Sequence, residues 1–137
     1  MANEIQVRAG FSISNGNLRY QTQPGSITAN QLTVNPEGPT PGSVLVPTAG
    51  VAISPTGLAS QGGWCKITNR DATNYVTFGI KAGGVFYPLG ELLPGEPAVL
   101  RLSRSLLYGA SGTAHVQDLW AVADTASCIV NVEAFDP

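Results

Sequence analysis

Trp64-Cys65-Lys66-Ile67-Thr68-Asn69, followed by Arg70-Asp71-Ala72-Thr73 and then Asn74-Tyr75-Val76-Thr77-Phe78-Gly79-Ile80, is the stretch on which the fold turns. The outer two runs are short and rich in aromatic and β-branched residues, and the polar tetrapeptide between them has turn composition. The stretch therefore reads as strand, turn, strand. Downstream the signal repeats. Lys81-Ala82-Gly83-Gly84 is a glycine hairpin leading into Val85-Phe86-Tyr87-Pro88-Leu89, and Leu93-Pro94-Gly95-Glu96 turns the chain into Pro97-Ala98-Val99-Leu100-Arg101-Leu102. In Pro94-Gly95 the proline fixes φ near −65° and the glycine permits a positive φ, the requirement of a type II turn. Leu106-Leu107-Tyr108, Asp118 to Val122 and Cys128 to Phe135 supply the last expected strands.

Upstream, Leu18 to Thr22 and Ser26 to Val34 alternate and read as a hairpin around Gln23-Pro24-Gly25. Glu4-Ile5-Gln6-Val7-Arg8 also alternates, so residues 1–16 form either an extended arm or a first strand, with the main domain over 17–137. Asn35 to Gly42 carries three prolines and reads as a loop. Short apolar runs follow at Val44-Leu45-Val46 and Val51-Ala52-Ile53. One window keeps a second template: Val99, Leu102 and Leu106 also fit helical spacing, although the flanking Pro-Gly favours strands. About ten short strands separated by turn signals describe an all-β domain, a β-sandwich or barrel, most plausibly of jelly-roll type.

Composition agrees. The chain has 137 residues with 16 Gly and 10 Pro, leaving few windows long enough for a helix. That length suits one core. Charged residues are 12%, about half the usual quarter, while 43% are hydrophobic. The net charge is −2 and the basic residues are scattered, so no phosphate-neutralising face exists and nucleic acid is disfavoured as a partner. There is neither a run of 18 apolar residues nor a signal-peptide pattern at the start, so a soluble protein made in the cytosol, with no membrane partner, is expected.

The inventory for chemistry is thin. His115 is the one histidine and lies in a glycine-flanked polar segment; with Ser105, Ser111 or Cys128 it makes no recognisable nucleophile motif, and it receives no role. Glu91 and Glu96 flank the Pro94-Gly95 turn at a spacing open to a glycosidase pair, but solvating the turn is the simpler reading. One histidine and two separated cysteines cannot build a tetrahedral metal site, and Asp71, Asp118 and Asp124 do not follow a calcium-loop pattern. Gly109 to Thr113 lacks the lysine of a phosphate loop and is a turn. Cys65 and Cys128 read as buried free thiols, and no cofactor or metal is expected.

Aromatic and apolar pairs carry more information. Phe86 and Tyr87 are adjacent on one strand and must point to opposite faces, so one of them leaves the core; the same holds for Leu119 with Trp120 and Ile129 with Val130. Strands apolar on both faces, within a weakly charged chain, suggest an outside that is covered in the working assembly. Ile5, Val7, Trp64, Phe86, Tyr87 and Trp120 are the candidate interface residues. For Ile5 and Val7 the mode would be addition of the N-terminal stretch to a neighbour's sheet edge, beside the alternative of an ordinary first strand.

Ile67 to Gly79, Phe86-Tyr87-Pro88-Leu89 and Leu93 to Leu102 resemble, through their turn and core positions, small structural proteins of tailed bacteriophages. Most of all they look like capsid decoration, or cement, proteins with a jelly-roll fold. The resemblance covers about residues 64 to 135. It implies a homotrimer on the capsid exterior at junctions of the major capsid protein, located in the virion, with neither catalysis nor cofactor. A receptor- or carbohydrate-binding module such as a tail-fibre tip, and another head or tail component, are the rival expectations; an enzyme built on His115 or the glutamates is the third.

Overall fold

A computed structural model describes residues 4–10, 12–15, 18–21, 25–30, 39–55, 63–103 and 117–135. Among them every regular element is a strand. The chain divides into two compact units, Met1–Val34 and Asn35–Pro137.

In the first unit, β1 (Glu4–Ala9) pairs antiparallel with β4 (Gly25–Asn30), and β2 (Ser12–Asn15) pairs antiparallel with β3 (Leu18–Gln21). This corrects the expected hairpin. The strands on either side of Gln23-Pro24-Gly25 do not pair with each other; each pairs with a strand nearer the N-terminus. Asn15 pairs with Leu18, so only two residues separate β2 from β3, and a two-residue connection is the commonest between antiparallel neighbours. The second ladder nests inside the first, with residues 10–11 intervening on one side and 22–24 on the other. Residues 31–34 of the expected second strand lie outside the described residues.

The second unit is an antiparallel β-sandwich. One sheet has the order β10-β7-β12-β5 and the other β6-β11-β8-β9, formed by β5 (Thr40–Val46), β6 (Val51–Ala52), β7 (Gly63–Asn69), β8 (Val76–Ala82), β9 (Val85–Leu92), β10 (Pro97–Leu102), β11 (Asp118–Ala123) and β12 (Cys128–Ala134). The short connections from β5 to β6 and from β9 to β10 cross from one sheet to the other. They place β5 beside β6 along one lateral edge and β10 beside β9 along the opposite edge.

Alternation builds the core. Along β12, Cys128, Val130, Val132 and Ala134 are buried, and along β11 so are Leu119, Ala121 and Ala123. These meet Val46, Ile67, Val76 and Ile53 between the sheets. Each buried aliphatic side chain contributes about 1.5–3 kcal/mol through removal from water. Two turns follow the sequence closely. Gly83 and Gly84 both have positive φ at the β8–β9 hairpin, and Gly95 at φ 80° with Glu96 N–H donating to Leu93 O closes the Pro94-Gly95 turn.

The segment read as a proline loop is in part strand. Thr40, Pro41 and Gly42 belong to β5, and Pro41 stands opposite Glu133. Because β5 is the outermost described strand of its sheet, a residue without an N–H is tolerated there. Residues 97–102 are strand, against the helical template; the rest of that window, with Leu106 to Tyr108, lies outside the described residues.

Candidate interface surfaces

Every candidate side chain of the sandwich is positioned by the two sheets. On the outward face of β8 and β11, Lys81 stands opposite Asp118 on one side and Phe86 on the other, and Gly79 stands between Trp120 and Pro88. Gly79 leaves room in that row. Trp120 is half-buried, with its indole edge so close to Gly50 that a side chain there would collide with Nε1. Lys81 Nζ sits 3.7 Å from the centroid of the Trp120 ring. Phe86 is half-buried on the same face.

Trp64 occupies the outward face of the other sheet, opposite Arg101 on β10, whose guanidinium lies 5.8 Å from the indole centroid. Among the described residues, no hydrogen-bond partner reaches the buried indole N–H of Trp64 or the buried hydroxyl of Thr68. Lys66 and Glu133 form a cross-strand ion pair at 3.2 Å beside them, exposed enough to add little stability.

Tyr87 behaves differently. It stands opposite Ile80, on the core side of β9, yet is 55% exposed. Its neighbours on this edge strand, Val85 and Leu89, are 52% and 66% exposed. β9 is the outermost described strand of its sheet, and beside Tyr87 it carries a bulge, where the register shifts between Phe78 and Gly79 and leaves Leu89 unpaired. Leu89 then lines an open cleft of about 290 Å³ with Ile80, Leu100, Arg101, Leu102 and Leu119, at the mouth between the sheets.

On the β5 side of the sandwich, Leu45 of β5 and Ile129 of β12 face each other in register on the outward face of their sheet, 64% and 52% exposed, while Val46, Cys128 and Val130 point inward. The Ile129/Val130 and Leu119/Trp120 adjacencies each put one residue outside, whereas neither Phe86, on the outward face, nor Tyr87 joins the core. Leu45, Val85 and Leu89 are interface candidates that the sequence does not single out. Ile5 and Val7 lie in β1 opposite Ala29 and Ile27, so one edge of that strand is already paired within the chain.

The candidate chemistry takes other forms. The Glu96 carboxylate accepts from the backbone N–H of Leu93 at 2.9 Å and so closes its own turn, whereas Glu91 is exposed on β9 opposite Thr77. Asp71 accepts from the N–H groups of Asn74 and Thr73, which hold its carboxyl below its ordinary pKa. Ser105, Ser111 and His115 lie outside the described residues. No cluster of three or more His, Cys, Asp or Glu able to hold a metal occurs among the described residues. No helix there is long and apolar enough to cross a membrane.

Cys65 and Cys128 are free and buried. Their strands do pair, but Cys65 stands opposite Ala134, at the far end of β12 from Cys128. That run of strand separates the positions by about 20 Å, beyond disulfide reach. Burial, and then Glu133, push the Cys65 thiol up to about 12.

No protein-family model, curated protein or solved structure matches the chain.

Proposed function

We propose that this chain is a non-catalytic virion structural protein: a homotrimeric decoration protein that stabilises contacts between major capsid proteins on the capsid exterior. The observation that carries this reading is the exposure of large apolar side chains on two sides of a weakly charged β-sandwich. Monomeric domains seldom leave such groups in water, and an assembly covers them. We further infer that the sandwich is a jelly roll. Its eight strands form two four-stranded sheets, and the connections from β5 to β6, β7 to β8, β9 to β10 and β11 to β12 each cross between them.

The carbohydrate-binding reading needs an open aromatic face for a sugar ring. One face of each indole instead carries a cation, Lys81 over Trp120 and Arg101 over Trp64. An enzyme has less support still, because Glu96 is engaged by its own turn.

The test is cosedimentation of the purified protein with capsids assembled from the major capsid protein of the same phage. Saturable binding that raises the temperature of capsid disruption is the expected result. Absence of capsid binding together with specific retention on a glycan array would overturn the proposal in favour of the receptor-binding reading.

A further inference from the structure

The two apolar patches of the sandwich lie on its β5 side and its β9 side, and they differ in kind. On the β5 side the outward sheet face presents an exposed pair, Leu45 opposite Ile129. The β9 edge presents Val85, Tyr87 and Leu89 around the open mouth between the sheets. An exposed pair and the rim of a cleft are unlike surfaces, and the side chains of the first can seat in the second.

Charge has the same polarity. Arg70, whose backbone N–H donates to Ile129 O, is exposed beside the first patch. Glu91 is exposed on β9, two residues beyond Leu89. Neither forms an ion pair among the described residues, and the cation Arg101 at the cleft has its guanidinium over Trp64. Each patch supplies roughly a few hundred Å² of apolar area, the right order for the apolar centre of an interface burying about 800 Å² per partner.

We propose that the occupant of each patch is a second copy of this chain, joined head to tail: Leu45 and Ile129 of one copy seat against Val85, Tyr87 and Leu89 of the next, with Arg70 facing Glu91. A heterologous contact of this kind makes a ring when its rotation closes. The inference deepens the assembly reading above by naming the self-contact, and it stands or falls on oligomerisation rather than on capsid binding.

The test uses Leu45→Arg and Tyr87→Arg, both exposed positions, in the full chain. Circular dichroism melts establish that each variant folds, and light scattering coupled to size exclusion reads the mass. The wild type forms a closed oligomer, whereas each variant alone is monomeric, with association weakened about thirtyfold or more. Mixed one to one, the variants form a heterodimer and nothing larger, because Leu45→Arg keeps an intact β9 patch and Tyr87→Arg an intact β5 patch. A monomeric wild type overturns the proposal and leaves capsid binding to its own test. So does disruption by one substitution alone, the signature of a two-fold contact between like patches, or a mixture that stays monomeric.

Discussion

Asn69 is fully buried, and its side chain donates to Asn74 O and Leu92 O while its oxygen accepts from Asp71 N–H. A buried amide with its groups satisfied fixes the turn between β7 and β8 against the end of β9. The sequence marks that turn as polar but cannot say that its first residue points inward, because the partners lie on two other segments. Cys65 is the residue where burial has a measurable pH consequence. Its thiol is raised from 9.0 to about 12, so the folded chain keeps a proton that the unfolded chain releases. Stability from this group is complete below pH 9 and declines as pH rises toward 12, with a slope approaching about 1.4 kcal/mol per pH unit. The difference in urea stability between wild type and Cys65→Ala is expected to shrink progressively over that interval. A difference that stays constant across it would count against the burial argument.

At the scale of elements, β7, β8, β10 and β12 are legible in the sequence because dense alternation and compact turns specify them locally. The bulge in β9 is not. It reverses side-chain parity: Gly90 and Leu92 face the core on one side of Leu89, and Val85 and Tyr87 on the other. Adjacency alone shows that Phe86 and Tyr87 face opposite ways; the bulge decides that Tyr87 takes the core side, and the edge position of β9 leaves it exposed there. The same parity limit hides Leu45 and Leu89, because a period of two separates faces without naming the one that meets water. Gly79 is what permits the bulge to close. A Cβ there would collide with the Tyr87 carbonyl oxygen and lie 2.9 Å from Pro88 Cα, both backbone atoms unable to swing aside. Gly79→Ala is expected to cost about 2–3 kcal/mol in urea denaturation, as overpacking does. Gly83→Ala, with open space but φ +55°, costs roughly 1 kcal/mol from backbone strain alone. Equal losses at the two sites would show that backbone conformation, rather than the close approach, governs Gly79.

For the whole molecule, low charge by itself suggests only a folded chain with a covered exterior. Exposed apolar side chains lie on two sides of the sandwich, Leu45 with Ile129 on the outward sheet face beside β5 and Val85, Tyr87 and Leu89 along β9, and charged groups such as Lys66 with Glu133 and Lys81 opposite Asp118 share the outward faces. Among the described residues, every member of the hydrophobic core belongs to the second unit. A chain beginning at Asn35 therefore retains this buried cluster and both apolar patches. It is expected to unfold in a single cooperative transition, with a midpoint within a few degrees of the full chain's. A two-stranded ribbon, in contrast, is marginal in water unless something packs against it. Removal of residues 1–34 thus separates the two sources of binding: self-association through Leu45 and Tyr87 should survive it, and any affinity that the ribbon gives for a capsid should not. Loss of the cooperative transition in the shortened chain would mean that the sandwich depends on the first unit for its stability.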